Sequence, residues 1–145
     1  GNYDARAIEL FTKYVKETSS CNKKLCEVPW VRSKLAELNM RFETAYILVY
    51  RSAWLLDKIK ETGYIPNWET AMTKAFCVEF VKDLANAATN IAGLYGGLSN
   101  NSKYAPFNGM IARSYLFFPG YSLQGGGSEV LKGIVATRGL GLPRQ

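Results

Sequence analysis

Apolar residues recur along this chain in steps of three and four, the signature of amphipathic helices. A first helix is expected from Asp4 to Glu17, with Ala5, Ile8, Leu10, Phe11 and Val15 as its apolar positions. The run Thr18 to Asn22 breaks it with residues that favour turns. A second helix opens at Pro29, where a fixed φ and a missing N–H suit a first turn, and closes before Gly63. Val31, Leu35, Leu38, Phe42, Ala45, Val49, Ser52, Leu56 and Ile59 form its expected seam. Between Ala45 and Leu56 the run AYILVYRSAWLL is apolar nearly all round. A helix wet on one side does not look like that, so this stretch is expected to be covered on two sides.

After a turn at Gly63 to Pro66, Asn67 is the expected N-cap of a third helix from Trp68 to about Leu94. Its first half is bulky, with Met72, Phe76, Val78, Phe80, Val81 and Leu84. Its second half is small, with Ala85, Ala87, Ala88, Ala92 and Gly93, residues expected to pack against bulky partners. A loop, GGLSNNS, leads to a fourth helix from Pro106 to about Leu116 or Phe118, ended by Pro119-Gly120. A last helix from Ser128 to Thr137 is stopped by Gly139, Gly141 and Pro143. With no strand alternation of useful length, the fold is expected to be all-α: an antiparallel bundle of about four helices and a short C-terminal one.

Ahead of the last helix stand Gly125, Gly126 and Gly127, then Ser128 and Glu129. Glycines permit φ > 0 and close approach. Ser128 suits an N-cap and Glu129 a first turn. Free N–H groups at such a start can receive an anion, phosphate included; a turn and a capped helix with no ligand is the plainer reading.

The 145 residues suffice for one domain with a real core. The absence of histidine removes Ser-His and Cys-His catalysis and every His-ligated metal site, and no metal site is expected. Cys21, Cys26 and Cys77 are odd in number and lack CxxC spacing, which points to a reducing cytoplasm, with Cys77 in the core. No apolar run is long enough to span a membrane, and no signal peptide is expected. The net charge of +6 is dispersed, so a nucleic-acid-binding bundle is a weak alternative. The start at Gly1, just before a helix, is expected of a fragment.

The end of the chain names a family. GGGSEVLKGIVATRGLGLPR resembles the C-terminal signature of the acyl-CoA dehydrogenases, G-T-S-E-I-x-R-x-I-I-A-R-x-x-L-G-L-P-R. Gly126 to Val130, Ile134 to Ala136 and Leu140 to Arg144 hold that frame. Lys34 to Leu38 followed by Arg51-Ser52-Ala53-Trp54 is similar to the family's second bundle helix. Ala71-Met72-Thr73-Lys74-Ala75-Phe76 resembles the A-x-x-K-x-[FY] of its third.

The resemblance implies a C-terminal helical domain of an FAD enzyme, without the N-terminal helical and middle β domains. Such enzymes remove hydrogens from Cα and Cβ of an acyl-CoA and pass electrons to an electron-transferring flavoprotein. Their C-terminal domains form the core of an oligomer. The isolated piece is expected to be inactive. Carried over by motif, Gly126 is a substrate contact and Gly127, Ser128 and Glu129 are flavin contacts. The family's Q-x-x-G-G is represented by Asn90 and Gly93, or in another register by Gly96-Gly97. Gly125 stands where part of the family has its catalytic glutamate, so the chain supplies no base there; other branches carry it upstream. The family's R-x-x-F-G-x-x-L loop falls on Thr18 to Leu25, where arginine has become Thr18 and Phe-Gly has become Cys21-Asn22. A following glutamine falls at Pro29. A non-catalytic subunit of a heteromeric dehydrogenase would look like this.

Overall fold

A computed structural model describes residues 2–20 and 22–144 and, before residue 6, the backbone alone; Cys21 lies outside the described residues. The chain runs α1 (Asn2–Glu17), β1 (Ser19–Ser20), β2 (Lys23–Lys24), α2 (Pro29–Asp57), α3 (Ile59–Thr62), α4 (Asn67–Ala92), α5 (Met110–Tyr121) and α6 (Ser128–Ile134). Tight 3₁₀ turns cover Leu25–Glu27, Gly93–Gly97 and Pro106–Gly109, and a π turn covers Val135–Gly139. The fold is all-α, as expected. β1 and β2 form a two-residue antiparallel ladder, Ser19 opposite Lys24.

α4 is the central helix, packed against α2, α5 and α6. Its core residues include Phe80, Val81, Leu84, Ala87, Ala88 and Ile91, which meet Phe11 and Val15 of α1 and Leu38 of α2. Burying a side chain of this size contributes roughly 1.5–3 kcal/mol. The small second half of α4 therefore packs inside the bundle. α2 and α4 run antiparallel. Ser52 and Thr73 share a hydrogen bond of 2.7 Å, Phe42 and Phe80 rings lie 6.2 Å apart, and Arg41 pairs with Asp83. Cys26 and Cys77 are half-buried against the same core.

The α2 seam differs from the expected one after Ala45. The buried positions are Val31, Leu38, Ala45 and Ser52, spaced by seven, while Val49 and Leu56 are exposed. Met40, Ile47 and Trp54 repeat the same spacing two residues on, and each is 60–65% exposed. Two residues turn a helix by about 200°, so this stripe lies opposite the buried seam. The chain itself covers one side of the apolar helix and leaves the other bare.

Several boundaries also differ: α5 begins at Met110 rather than Pro106, because Phe107 and Asn108 are left-handed, and α6 ends at Ile134, where a π turn takes over. α2 ends at Asp57, with Lys58 separating it from the single turn of α3. Asn67 is the first helical residue of α4 rather than its cap, a place taken by Pro66. α5 continues through Pro119 to Tyr121. Pro119 has no N–H to donate to the Tyr115 carbonyl, so the last turn continues with one helical hydrogen bond fewer.

Candidate flavin-side turn

The glycine turn is a built connection. Leu123 N–H donates to the Gly120 carbonyl at 3.1 Å and Gln124 N–H to that of Tyr121 at 3.3 Å. The chain then passes through Gly125 at φ +73 and Gly126 at φ +111. Both values favour glycine. Lys74 of α4 donates from Nζ to the Gln124 carbonyl. A Cβ on Gly125 would stand 2.6 Å from that Nζ. The position at which the resemblance expects a glutamate thus has a glycine backbone and a lysine facing it.

Gly127, at φ −60 and ψ 156, is the N-cap of α6, and Ser128 is its first residue. This corrects the expectation that Ser128 caps. Its hydroxyl instead donates to Glu79 Oε1 of α4 at 3.0 Å. The Leu131 N–H donates to the Gly127 carbonyl at 3.1 Å. Leu131 is buried on Ala71 and Ala75, with Ile134 and Val135 beside it. One hydrogen bond and one apolar anchor therefore fix α6 to the first half of α4. Further on, Gly139 lies against Trp68: a Cβ there would meet the indole at 3.0 Å.

Charged side chains gather at this turn. Glu79 lies at the start of α6, and the Glu129 carboxylate folds back so that a Cβ on Gly127 would be 3.4 Å from its Oε2. Lys82, 3.8 Å from Glu79, partly offsets that charge. The two carboxylates accept hydrogen bonds from hydroxyls and ring N–H groups, and the ammonium groups of Lys74, at Gly125, and Lys82, beside Glu79, balance their charge. A hydroxyl-bearing part of a dinucleotide suits such a set.

Asn90 and Gly93 stand elsewhere. Both are exposed at the far end of α4, where Gly93 ends the helix at φ +57. At about 1.5 Å of rise per residue, Asn90 lies about 16 Å along the axis from Glu79. Asn90 lines a shallow groove with Trp30, Ser33, Lys34, Glu37 and Asn86. The hairpin leading from Thr18 into α2 is at this same end: Leu25 N–H donates to the Thr18 carbonyl at 2.9 Å. Pro29 is the first residue of α2. Tyr14 lies beside Thr18; burial pushes its hydroxyl above the usual tyrosine value, and the Thr18 side chain pulls it back. So the structure brings Gly125 to Glu129 together and puts Asn90 and Gly93 in a second group, near Thr18 and Pro29.

Glu79 carried no signal in the sequence, because it is 49 residues from Ser128. Lys74 carried one, as part of the A-x-x-K-x-F pattern, but nothing tied it to Gln124.

Residues 4–140 match the family model described as "Acyl-CoA dehydrogenase, C-terminal domain". Among curated proteins, the chain is 26% identical over 131 residues to the "3-(aryl)acrylate reductase" of Clostridium sporogenes, which covers 90% of this chain and 32% of that protein. It is 28% identical over 90 residues to the "Caffeyl-CoA reductase-Etf complex subunit CarC" of Acetobacterium woodii, covering 62% of this chain and 23% of that one. The chain therefore spans about a third or less of these relatives. Among solved structures, the "Tcur3481-Tcur3483 steroid ACAD" superposes with a TM-score of 0.79 at 29% identity, over 98% of this chain and 35% of that one.

Proposed function

The chain belongs to the acyl-CoA dehydrogenase family, as its C-terminal domain, and from that premise we propose that it is one part of an FAD enzyme working on the Cα–Cβ bond of an acyl-CoA thioester. The other parts are N-terminal helical and middle β domains, and the piece alone turns nothing over. When bound, FAD supplies the two-electron exchange at Cβ. Gly126 lies against the thioester. Gly127, Ser128 and Glu129 meet a hydroxyl-bearing part of the flavin dinucleotide. Asn90 and Gly93, about 16 and about 21 Å from Glu79 along α4, serve the cofactor of a second copy. Lys34, in the groove with Asn90, and Lys23 and Lys24, exposed on the hairpin, are cations at that end. The observation that carries this reading is the turn itself: two positive-φ glycines beside a pair of carboxylates that suit hydroxyls.

Gly125 cannot move a proton, so the base lies outside these residues. The direction of reaction follows the thioester and the electron partner. Relatives named as an arylacrylate reductase and as a subunit of a caffeyl-CoA reductase-Etf complex support reduction as readily as oxidation, with an electron-transferring flavoprotein as partner. The bare face of α2, with Met40, Ile47 and Trp54, supports an oligomer core. Among the described residues no helix is long and apolar enough to cross a membrane, and a cytoplasmic enzyme is the reading we adopt.

A second reading is a non-catalytic subunit in a heteromeric dehydrogenase. Thr18, Pro29 and Gly125 favour it, because each replaces a side chain that would touch flavin or substrate. One experiment separates the two. The whole protein, made alone and with a neighbouring dehydrogenase subunit, is given a panel of acyl-CoAs and an artificial electron acceptor. Enoyl-CoA from the protein alone supports the first reading, and turnover only with the partner supports the second. No turnover in either preparation, oxidative or reductive, contradicts both.

A further inference from the structure

An apolar cavity of about 150 Å³ lies between α1, α4 and α5. Leu10 and Phe11 line it from α1, Ala85 and Ala88 from α4, and Ile111 and Phe118 from α5. Ser114 contributes a hydroxyl to an otherwise hydrocarbon wall. Phe11, Ala85, Ala88 and Ile111 are each less than 9% exposed, so the floor is deep in the core, while Met110, 39% exposed, edges the cavity. The cavity is half open, so its apolar lining forfeits dispersion contacts on the open side. An apolar space of about 150 Å³ is large enough for a benzene ring.

One further wall is unusual. Phe107 lines the cavity at φ +51 and ψ 38, and Asn108 follows at φ +53. A left-handed backbone costs an L-residue roughly 1–2 kcal/mol. The Phe107 ring, 5.5 Å from that of Tyr14, is held there against that cost. Strained residues of this kind cluster at ligand clamps.

We propose that this cavity is a binding site for a small, uncharged hydrocarbon group, a single six-membered ring or its aliphatic equivalent. Charge is disfavoured, because among the described residues no ionisable side chain lines the cavity to meet it. A whole acyl-CoA or flavin is excluded by volume. The site is separate from the glycine turn: its floor is Ala85 and Ala88, whereas the turn is held at Lys74 and Glu79. It therefore stands or falls independently of the enzymatic reading.

The test uses the whole protein and fluorobenzene as probe, followed by ¹⁹F relaxation. Saturable binding is expected, displaced by benzene but not by benzoate, and unaffected by saturating acyl-CoA. Ala88→Leu fills the floor and should weaken binding at least about tenfold, a change in Kd of about 1.4 kcal/mol. Ala85→Met repeats the test from one turn away should that variant not fold. Non-saturable binding, displacement by acyl-CoA, or unchanged affinity in a folded variant would overturn the proposal. So would absence of binding, as when a partner's side chain already fills the cavity.

Discussion

The hydroxyl of Ser128 donates to Glu79 across 3.0 Å, joining the first residue of α6 to the middle of α4. The bond is part-buried and charge-assisted, so its loss should cost about 1.5 kcal/mol, at the low end for hydrogen bonds to ionised groups. For Ser128→Ala the expected fall in Tm is about 3–6 °C. Leu131→Ala removes the apolar anchor on Ala71 and Ala75 and should cost more, roughly 2–4 kcal/mol. Thermal unfolding followed by circular dichroism orders the two. A Ser128→Ala protein as stable as the parent would mean that α6 is held by packing alone.

Two glycines should respond oppositely to alanine. Gly109, at φ +74, lies so close to the preceding loop that a Cβ would come within 2.5 Å of Asn100 N and 2.8 Å of Ser99 C. Both neighbours are backbone, so Gly109→Ala should destabilise by more than about 2 kcal/mol. Gly133 lies within α6, and a Cβ there would have nothing within 4 Å. Gly133→Ala should stabilise by about 0.5–1 kcal/mol. Chemical denaturation midpoints of the two variants check the signs.

These cases show which parts of the molecule its sequence reveals. α1, α2 and α4 are long and periodic, so their existence and main faces are legible. The second half of the α2 seam is not. Steps of three and four allow either Val49 or Leu48 to follow Ala45, and the answer depends on where α4 lies. Pro119 reads as a stop but is tolerated in the last turn. In the candidate site, the glycines announce their turn through backbone chemistry alone. The Ser128–Glu79 and Lys74–Gln124 bonds do not, because each joins residues about 50 positions apart, and no local pattern encodes such a pairing.

Tyr64 donates to Glu69 Oε1 at 2.8 Å, while Oε2 of the same buried carboxylate has no partner among the described residues. The hydrogen bond to Glu69 is the main cause that holds the Tyr64 hydroxyl above its usual value of 10.0, with burial adding to it. A pKa raised in the folded state means that the folded protein keeps the proton longer than the unfolded one. The stability this contributes is therefore complete below about pH 10 and is lost as pH rises through the folded value. Tyr64→Phe should flatten the alkaline fall in stability and remove a late-titrating phase from the phenolate absorbance. It should also destabilise at neutral pH, since both oxygens of Glu69 would then lack a donor. An unchanged alkaline profile would show that Tyr64 does not titrate with folding.

That this domain belongs to an enzyme that holds FAD is the central claim, and counting the flavin tests it most directly. The whole protein is purified alone and after co-production with a neighbouring dehydrogenase subunit, and FAD released on denaturation is measured against protein. FAD bound at a fixed stoichiometry in at least one preparation is the predicted result. Colourless protein in both, with no FAD released, would contradict the account.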